Sequence, residues 1–284
     1  MPRPVQGKGG NVAAIGFIGV GNMSSALLRG MCSQANPSDI LAFDRHPERL
    51  DALAGELGFA TAQNASEVAR NSAFVVLGVQ PFAIEPLLDE IAPALHEANE
   101  GGSRTILCSI AAGYGLADFK NWLSLHMLDM PVVRIMPNSG VGIGKGVCLF
   151  AASDDMPTEA MERLMKLFAG TGLCECVAED TLEIATPIYA CSPAYVYIFI
   201  ESLADAGVQL GLERGLAMRL AKQAVYGTAA YAIESDKHVA QLREELATPR
   251  GMTITSTNYM EQLGFRAAVI GGALKAYEHT ANVK

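Results

Sequence analysis

The stretch Ile15-Gly16-Phe17-Ile18-Gly19-Val20-Gly21-Asn22-Met23-Ser24 decides how this chain is read. Val12–Ile18 reads as a buried strand. Asn22–Gln34 reads as a helix, with Ala26, Leu27 and Met31 at helical spacing. Between them lies G-x-G-x-x-S. Gly19 permits a tight turn, Gly21 lets a pyrophosphate approach the backbone, and the small Ser24 permits close packing of helix on strand. The helix that opens at Asn22 and Met23 turns free N–H groups toward those phosphates. Alone, the motif also fits an ordinary tight turn. Its place in a strand–turn–helix, followed by a second strand at Ile40–Phe43, points to dinucleotide binding.

Working outward, Asp44 ends that second strand, 25 residues after Gly19. An acid there accepts hydrogen bonds from the ribose hydroxyls of NADH and repels a 2′-phosphate. Arg45 follows at once, and a guanidinium grips that phosphate, with His46 to assist. The two residues argue for opposite cofactors, so NADPH and NADH both stand. Val79-Gln80-Pro81 and Ala111 follow two later strands, where ligands bind in such sheets. Asn138 follows another and is placed to bond the nicotinamide carboxamide; the competing reading is a turn residue after Pro137.

The alternation continues to about Val177. Helices are expected at Pro47–Leu57, Ser66–Arg70, Ile84–Ala94, Leu116–Trp122 and Thr158–Phe168. Strands are expected at Phe59–Thr61, Phe74–Val79, Thr105–Ile110, Val132–Met136, Val147–Ala151 and Gly172–Val177. Repeated strand–helix units imply a parallel sheet with helices on both faces. After Glu179 no strand period returns. Pro193–Leu210, Leu216–Glu234, Val239–Leu246, Thr253–Leu263 and Phe265–His279 read as helices. The first is apolar nearly all round and should be buried on every side. One small domain can hardly do that, so a subunit interface is expected. The division is therefore a loose tail at 1–11, a dinucleotide-binding domain at 12–178 and a helical domain at 179–284.

Composition bounds the function. The 284 residues are 50% hydrophobic and 18% charged, which excludes disordered and fibrous classes. The net charge of −9 is no nucleic-acid footprint. No apolar run of about 20 residues could span a bilayer. The six cysteines form no C-x-x-C pair and no metal spacing, so no metal is expected. Reduced cysteines and the lack of a signal-like N-terminus read as cytoplasmic.

Two helix starts in the second half carry hydroxyls. Ser192-Pro193 follows Cys191, with Ser192 read as the N-cap. Thr248-Pro249-Arg250-Gly251-Met252-Thr253 is the other. Two such N-termini could converge on a small carboxylate.

At these residues the chain resembles the pyrroline-5-carboxylate reductase family, over roughly residues 13–280. The carriers are Gly16 to Met23, Arg134 to Asn138, Ser192 to Tyr195, Glu201 to Val208, Thr248-Pro249, Thr253-Ile254 and Gly264 to Ala268. The resemblance implies an α/β Rossmann-type dinucleotide-binding domain followed by an all-α dimerisation domain. It implies a homodimer or higher homo-oligomer, and hydride transfer from NAD(P)H to the C=N bond of a cyclic imino acid, 1-pyrroline-5-carboxylate, to give proline. It also implies that backbone N–H groups near Gly251 and Met252 hold the substrate carboxylate while the Thr253 hydroxyl bonds the ring nitrogen. Ser192 is grouped with Thr253 as catalytic, and Tyr189, Cys191, Thr248 and Arg250 as substrate-binding. The chain departs from the family pattern in that loop region. S-G-S-G-P-A-Y is replaced by Tyr189-Ala190-Cys191-Ser192-Pro193-Ala194-Tyr195. Arg250 stands where the family has glycine, and Gln80 where it has lysine.

Hydride addition to an imine that arrives protonated needs positioning more than a strong acid. That suits substrate loops with no His or Lys. His238 and His279 fall in helical stretches and read as structural. Three other functions compete: a reductase of a different cyclic imine, a non-catalytic nucleotide sensor, and a hydroxyacid dehydrogenase. The last needs a proton-transfer lysine, for which Lys222, expected mid-helix, is the only plausible candidate in the second domain.

Overall fold

The computed structural model describes residues 13–100 and 105–282. The expected tail at 1–11, and Val12, lie outside the described residues. The chain divides into two compact units, the first ending at Thr186 and the second spanning Pro187–Asn282.

The first unit is built on a single sheet. Its strands are β1 (Ala13–Ile18), β2 (Ile40–Phe43), β3 (Ala60–Thr61), β4 (Ser72–Leu77), β5 (Ile106–Ser109), β6 (Val132–Pro137), β7 (Gly146–Ala152) and β8 (Gly172–Cys176). They lie in the order β3-β2-β1-β4-β5-β6-β7-β8. Ile15 of β1 sits opposite Ile40 on one side and Phe74 on the other. The winding reverses at β1, and ligands bind at such a reversal, beyond the carboxyl ends of the strands.

Alternation along each strand sends side chains to two separate cores. Phe17, Phe74 and Val76 face Leu27 and Leu28 of helix α1 (Asn22–Met31) and Phe168 of α6 (Thr158–Phe168). Ile18, Val75 and Leu77 face Leu88 and Ile91 of α4 (Ile84–Glu100) and Phe119 of α5 (Leu116–Leu125). Each such side chain, fully buried, contributes about 1.5–3 kcal/mol. Two further helices, α2 (Pro47–Leu57) and the short α3 (Ala65–Arg70), complete the layers.

The sheet is not wholly parallel, as the alternation implied. β7 runs antiparallel to β6, with Ile135 opposite Phe150. The link between them holds only the 3-10 turn Ser139–Ile143. A parallel partner needs a crossover of a dozen or more residues.

A helix that the sequence reading left out, α7 (Glu179–Tyr189), follows β8. Pro187 lies inside it and reads from sequence as a breaker. Tertiary contacts decide instead. Leu182 is fully buried. Arg134 of β6, itself buried, donates to Oε1 of Glu179 at 2.7 Å and to Oε1 of Glu183 at 2.9 Å. Glu179 Oε1 also accepts the N–H of Leu116 at 2.7 Å. Removing an acid would leave a buried guanidinium under-compensated, at a cost of about 3–5 kcal/mol. These bonds fasten α7 up to Thr186 to the sheet, and the compact units divide at 186/187, inside that helix.

The second unit is helical: α8 (Ser192–Gln209), α9 (Arg214–Glu234), α10 (Val239–Glu245), α11 (Met252–Gln262) and α12 (Phe265–Asn282). Glu213 caps α9 by accepting the N–H groups of Gly215 and Leu216. α8 and α9 pack through small residues, Ala204 against Ala217 and Ala221. The expectation that α8 is buried all round fails within one chain. Ala204 is its only buried residue, while Tyr197 and Ile198 are more than 60% exposed. α12 leaves Ile270 and Leu274 equally open. Among the described residues no helix is long and apolar enough to cross a membrane.

Candidate functional site

The glycine turn after β1 is pinned from both sides. Gly19 donates its N–H to the carbonyl of Phe43, and Gly78 donates to that of Ile18, each at 2.8 Å. Gly19 has φ +94°, and a Cβ there would come within 2.8 Å of the Gly78 backbone. Gly21 has nothing within 4 Å of its Cβ direction. The backbone is thus open at Gly21, as a phosphate needs. The N–H groups of Gly21, Asn22 and Met23 have no partner among the described residues. The Ser24 hydroxyl is buried, and a Cβ at Gly78 would lie 2.3 Å from it.

A cavity of about 560 Å³ opens from this turn. Gly19, Gly21, Asp44, Arg45, Val79 and Gln80 line it, as does His46. Ala65, Ala83, Pro86 and Leu87 give it an apolar wall suited to a flat base. These features fit a nicotinamide dinucleotide: unblocked N–H groups for phosphate, an open glycine, and an apolar slot.

Asp44 is 8% exposed. Its Oδ2 accepts the Val20 N–H at 2.6 Å and Arg49 Nη2 at 2.9 Å, and its Oδ1 accepts the His46 N–H at 2.8 Å. Burial alone would raise its carboxyl. The N–H bonds from His46 and Val20, with the Arg49 guanidinium, outweigh that and hold it below its ordinary value. Three protein donors thus reach the carboxylate, and Asp44 holds the turn. Arg49, missed in sequence, also lines the cavity. Its signal was positional: a cation in the first turn of α2 opposes the helix dipole and implies a nearby anion.

Other expected cofactor residues sit differently. Asn22 and Met23 open α1, and the Met23 side chain packs on the core, leaving only its backbone for phosphate. Pro81 opens the 3-10 turn Pro81–Ala83. Ala111 is buried, its N–H bonded to Ser109 Oγ at 3.2 Å. Asn138 Oδ1 accepts from Gly140 N–H at 3.2 Å and Val147 N–H at 3.0 Å. That oxygen holds the β6–β7 turn.

The expected substrate residues lie in the second unit, except that Tyr189 is also the last residue of α7. The N-cap of α8 is Cys191, one residue before Ser192, and it makes no side-chain cap bond. Gly251 is the N-cap of α11, also without one. Its N–H donates to the Thr248 carbonyl at 2.9 Å, so it is engaged, contrary to expectation. The N–H groups of Met252, Thr253 and Ile254 have no partner among the described residues, as the first turn of an uncapped helix requires. The Thr253 side chain is exposed and its hydroxyl is likewise unpaired there. Arg250 takes φ +61°, which costs a residue with a side chain roughly 1–2 kcal/mol, and its side chain is exposed. An apolar cavity of about 490 Å³ between α8, α11 and α12 is lined by neither Ser192 nor Thr253. His238 is not inside a helix: it caps α10, Nδ1 accepting the Ala240 N–H at 3.2 Å. Lys222 is exposed on α9. Among the described residues no three His, Cys, Asp or Glu side chains gather as metal ligands.

Residues 179–283 match the family model for pyrroline-5-carboxylate reductase dimerisation, and residues 14–112 match that for NADP oxidoreductase, coenzyme F420-dependent. The chain is 33% identical over 266 residues to pyrroline-5-carboxylate reductase of Escherichia coli (strain K12), covering 93% of this chain and 96% of that protein. It is 30% identical over 268 residues to the Synechocystis enzyme of the same name, covering 94% and 96%. Among solved structures it is similar to a pyrroline-5-carboxylate reductase from Coxiella burnetii, with TM-score 0.87 and 27% identity over 96% of this chain and 99% of that one. It is also similar to Plasmodium falciparum pyrroline carboxylate reductase with NADP bound, with TM-score 0.80 and 26% identity over 96% and 99%.

Proposed function

The chain belongs to the pyrroline-5-carboxylate reductase family, and on that premise we propose how its residues divide the work. It is an NAD(P)H-dependent oxidoreductase that reduces the C=N bond of 1-pyrroline-5-carboxylate to give proline. The observation that carries this is a likeness to such enzymes running through both units, together with an open glycine turn over a dinucleotide-sized cavity.

When bound, the dihydronicotinamide supplies the hydride. The chain's own residues position and polarise. The N–H groups of Gly21, Asn22 and Met23 take the pyrophosphate. The N–H groups of Met252 and Thr253 take the substrate carboxylate. The Thr253 hydroxyl holds the ring nitrogen, which becomes an amine as the adjacent carbon gains the hydride. An imine that arrives protonated already carries the second hydrogen, so no acid is required of the loops. Ser192, Cys191, Tyr189 and Thr248 are assigned to the remaining wall, and Arg250 adds a cation next to the α11 N-terminus.

The chain forms a homo-oligomer through its dimerisation domain. We assign the interface to the open apolar residues of α8 and α12, at least a dimer in count. Its six cysteines are all free, which suits a reducing compartment, and we place the protein in the cytoplasm.

The test is steady-state turnover of the full chain with NADPH or NADH, offering 1-pyrroline-5-carboxylate beside six-membered and dicarboxylic cyclic imines. The five-membered substrate should be reduced fastest. Preference for a dicarboxylic imine would move the assignment to a different substrate and implicate Arg250. Tight cofactor binding with no turnover of any imine would make the chain a sensor.

A further inference from the structure

We propose that Cys148 and Cys174 form a dithiol site for reversible oxidation by a hydroperoxide, with Cys174 as the attacking thiol and Cys148 as the resolving one. The pair is not among the residues that line the nucleotide cavity, and the proposal does not depend on the reductase reading.

Sequence spacing hides the pair, because α6 and the 3-10 turn Ala169–Thr171 lie between its members. The register of β7 and β8 brings it together. The two strands are parallel, with Cys148 opposite Cys174 and Phe150 opposite Cys176. Adjacent strands lie about 4.8 Å apart, inside the roughly 4.4–6.8 Å between Cα atoms that a disulfide spans. A single buried hydroxyl joins the two sulfurs. Thr171 Oγ1 is 3.4 Å from Cys148 Sγ and 3.6 Å from Cys174 Sγ. That hydroxyl donates its one hydrogen to the Phe168 carbonyl at 2.7 Å, so toward Cys148 it accepts. Cys174 Sγ donates to the same carbonyl at 3.4 Å.

Position divides the roles. β8 is the last strand of the sheet, and Cys174 on it is partly open to solvent, while Cys148 is fully buried. Once Cys174 gives up its proton, the Cys148 S–H is the donor at hand for the thiolate. That bond holds the Cys174 thiol below its ordinary range against the opposing push of burial. The same bond, with burial, pushes the Cys148 thiol up. The outer, more acidic thiol is the one a hydroperoxide meets as thiolate.

The chemistry closes within the pair. The Cys174 thiolate attacks one peroxide oxygen and the O–O bond breaks. That oxygen stays on sulfur as a sulfenic acid, and the other leaves with a proton as water or an alcohol. The Cys148 thiol then gives up its proton and its sulfur attacks that of Cys174. The S–S bond forms, the S–O bond breaks, and the hydroxide takes up the proton as water. Two thiols have lost two electrons to one hydroperoxide.

The experiment adds hydrogen peroxide to the full chain at neutral pH, then blocks the remaining thiols with iodoacetamide in denaturant and maps peptides by mass spectrometry without reductant. Two of the six thiols should be lost to the label. They should appear as one peptide pair joined through Cys148 and Cys174, two hydrogens lighter than the separate peptides and released by dithiothreitol. Cys176 and Cys191 should still be alkylated. Dimedone, which traps sulfenic acids, should mark Cys174 at early times. Cys174→Ser should abolish the link and leave Cys148 alkylated. Oxidation of Cys176 or Cys191 with the pair still reduced overturns the proposal, as does a link from Cys174 to any other cysteine. Early dimedone capture at Cys148 overturns the assignment of the attacking thiol.

Discussion

Val20 gives its backbone N–H to Oδ2 of Asp44 at 2.6 Å, so the glycine turn and the end of β2 are held by one carboxylate. Asp44→Asn puts an amide donor where Val20, His46 or Arg49 also donate. We expect a loss of about 1–3 kcal/mol at neutral pH, read from urea midpoints. The pH dependence has a fixed sign. The Asp44 carboxyl is held below its ordinary value in the fold, so its contribution is complete above the unfolded value, near 3.9, and disappears as pH falls through the folded one. The variant should lose part of that acid-side slope. An unchanged slope would place the acid sensitivity elsewhere.

The two glycines of the turn should fail in opposite ways. Gly19→Ala meets the Gly78 backbone and a left-handed φ, so thermal stability should drop. Gly21→Glu meets open space, so the fold should hold while a carboxylate confronts the pyrophosphate. Nucleotide titration should find binding abolished with the melting temperature near wild type. Normal nucleotide affinity in Gly21→Glu would remove the phosphates from this turn.

Thr253→Ala should slow turnover by about 5- to 150-fold, equivalent to roughly 1–3 kcal/mol. Cofactor affinity should not change, since the hydroxyl is assigned to the substrate nitrogen. Wild-type rates would take Thr253 out of the site.

The open apolar face of the second unit predicts association. Light scattering at micromolar concentration should find at least two copies of the chain. Ile270→Glu puts a charge on a residue that is 60% exposed in the single chain. It should shift the population toward monomer without unfolding either unit. A wild-type monomer would contradict the assigned interface.

What could be read from the sequence follows the range of the forces involved. β1, the turn and α1 carry local signals, their glycines and apolar spacing, that set their bounds closely even though Phe43, Asp44 and Gly78 complete the turn from farther along the chain. α2 opens with Pro47 and closes at Gly58 with φ +84°, both local signals. Features set by distant partners were hidden. α7 is held by Arg134 from 45 residues away. Val20 bonds Asp44 from 24 residues away, a contact that neither residue announces in the sequence. The direction of β7 followed from a short link whose turn only packing could place. The exposure of α8 required the tertiary structure, although its all-round apolar character already implied a partner surface.

The most direct measurement of the central claim follows the hydride itself. The full chain is given 1-pyrroline-5-carboxylate and NADPH carrying deuterium in place of both hydrogens at nicotinamide position 4. The product is then analysed by mass spectrometry and NMR. The account predicts proline bearing a single deuterium on the ring carbon next to nitrogen and remote from the carboxylate. Unlabelled proline, or oxidation of the nucleotide with no proline formed, would contradict it.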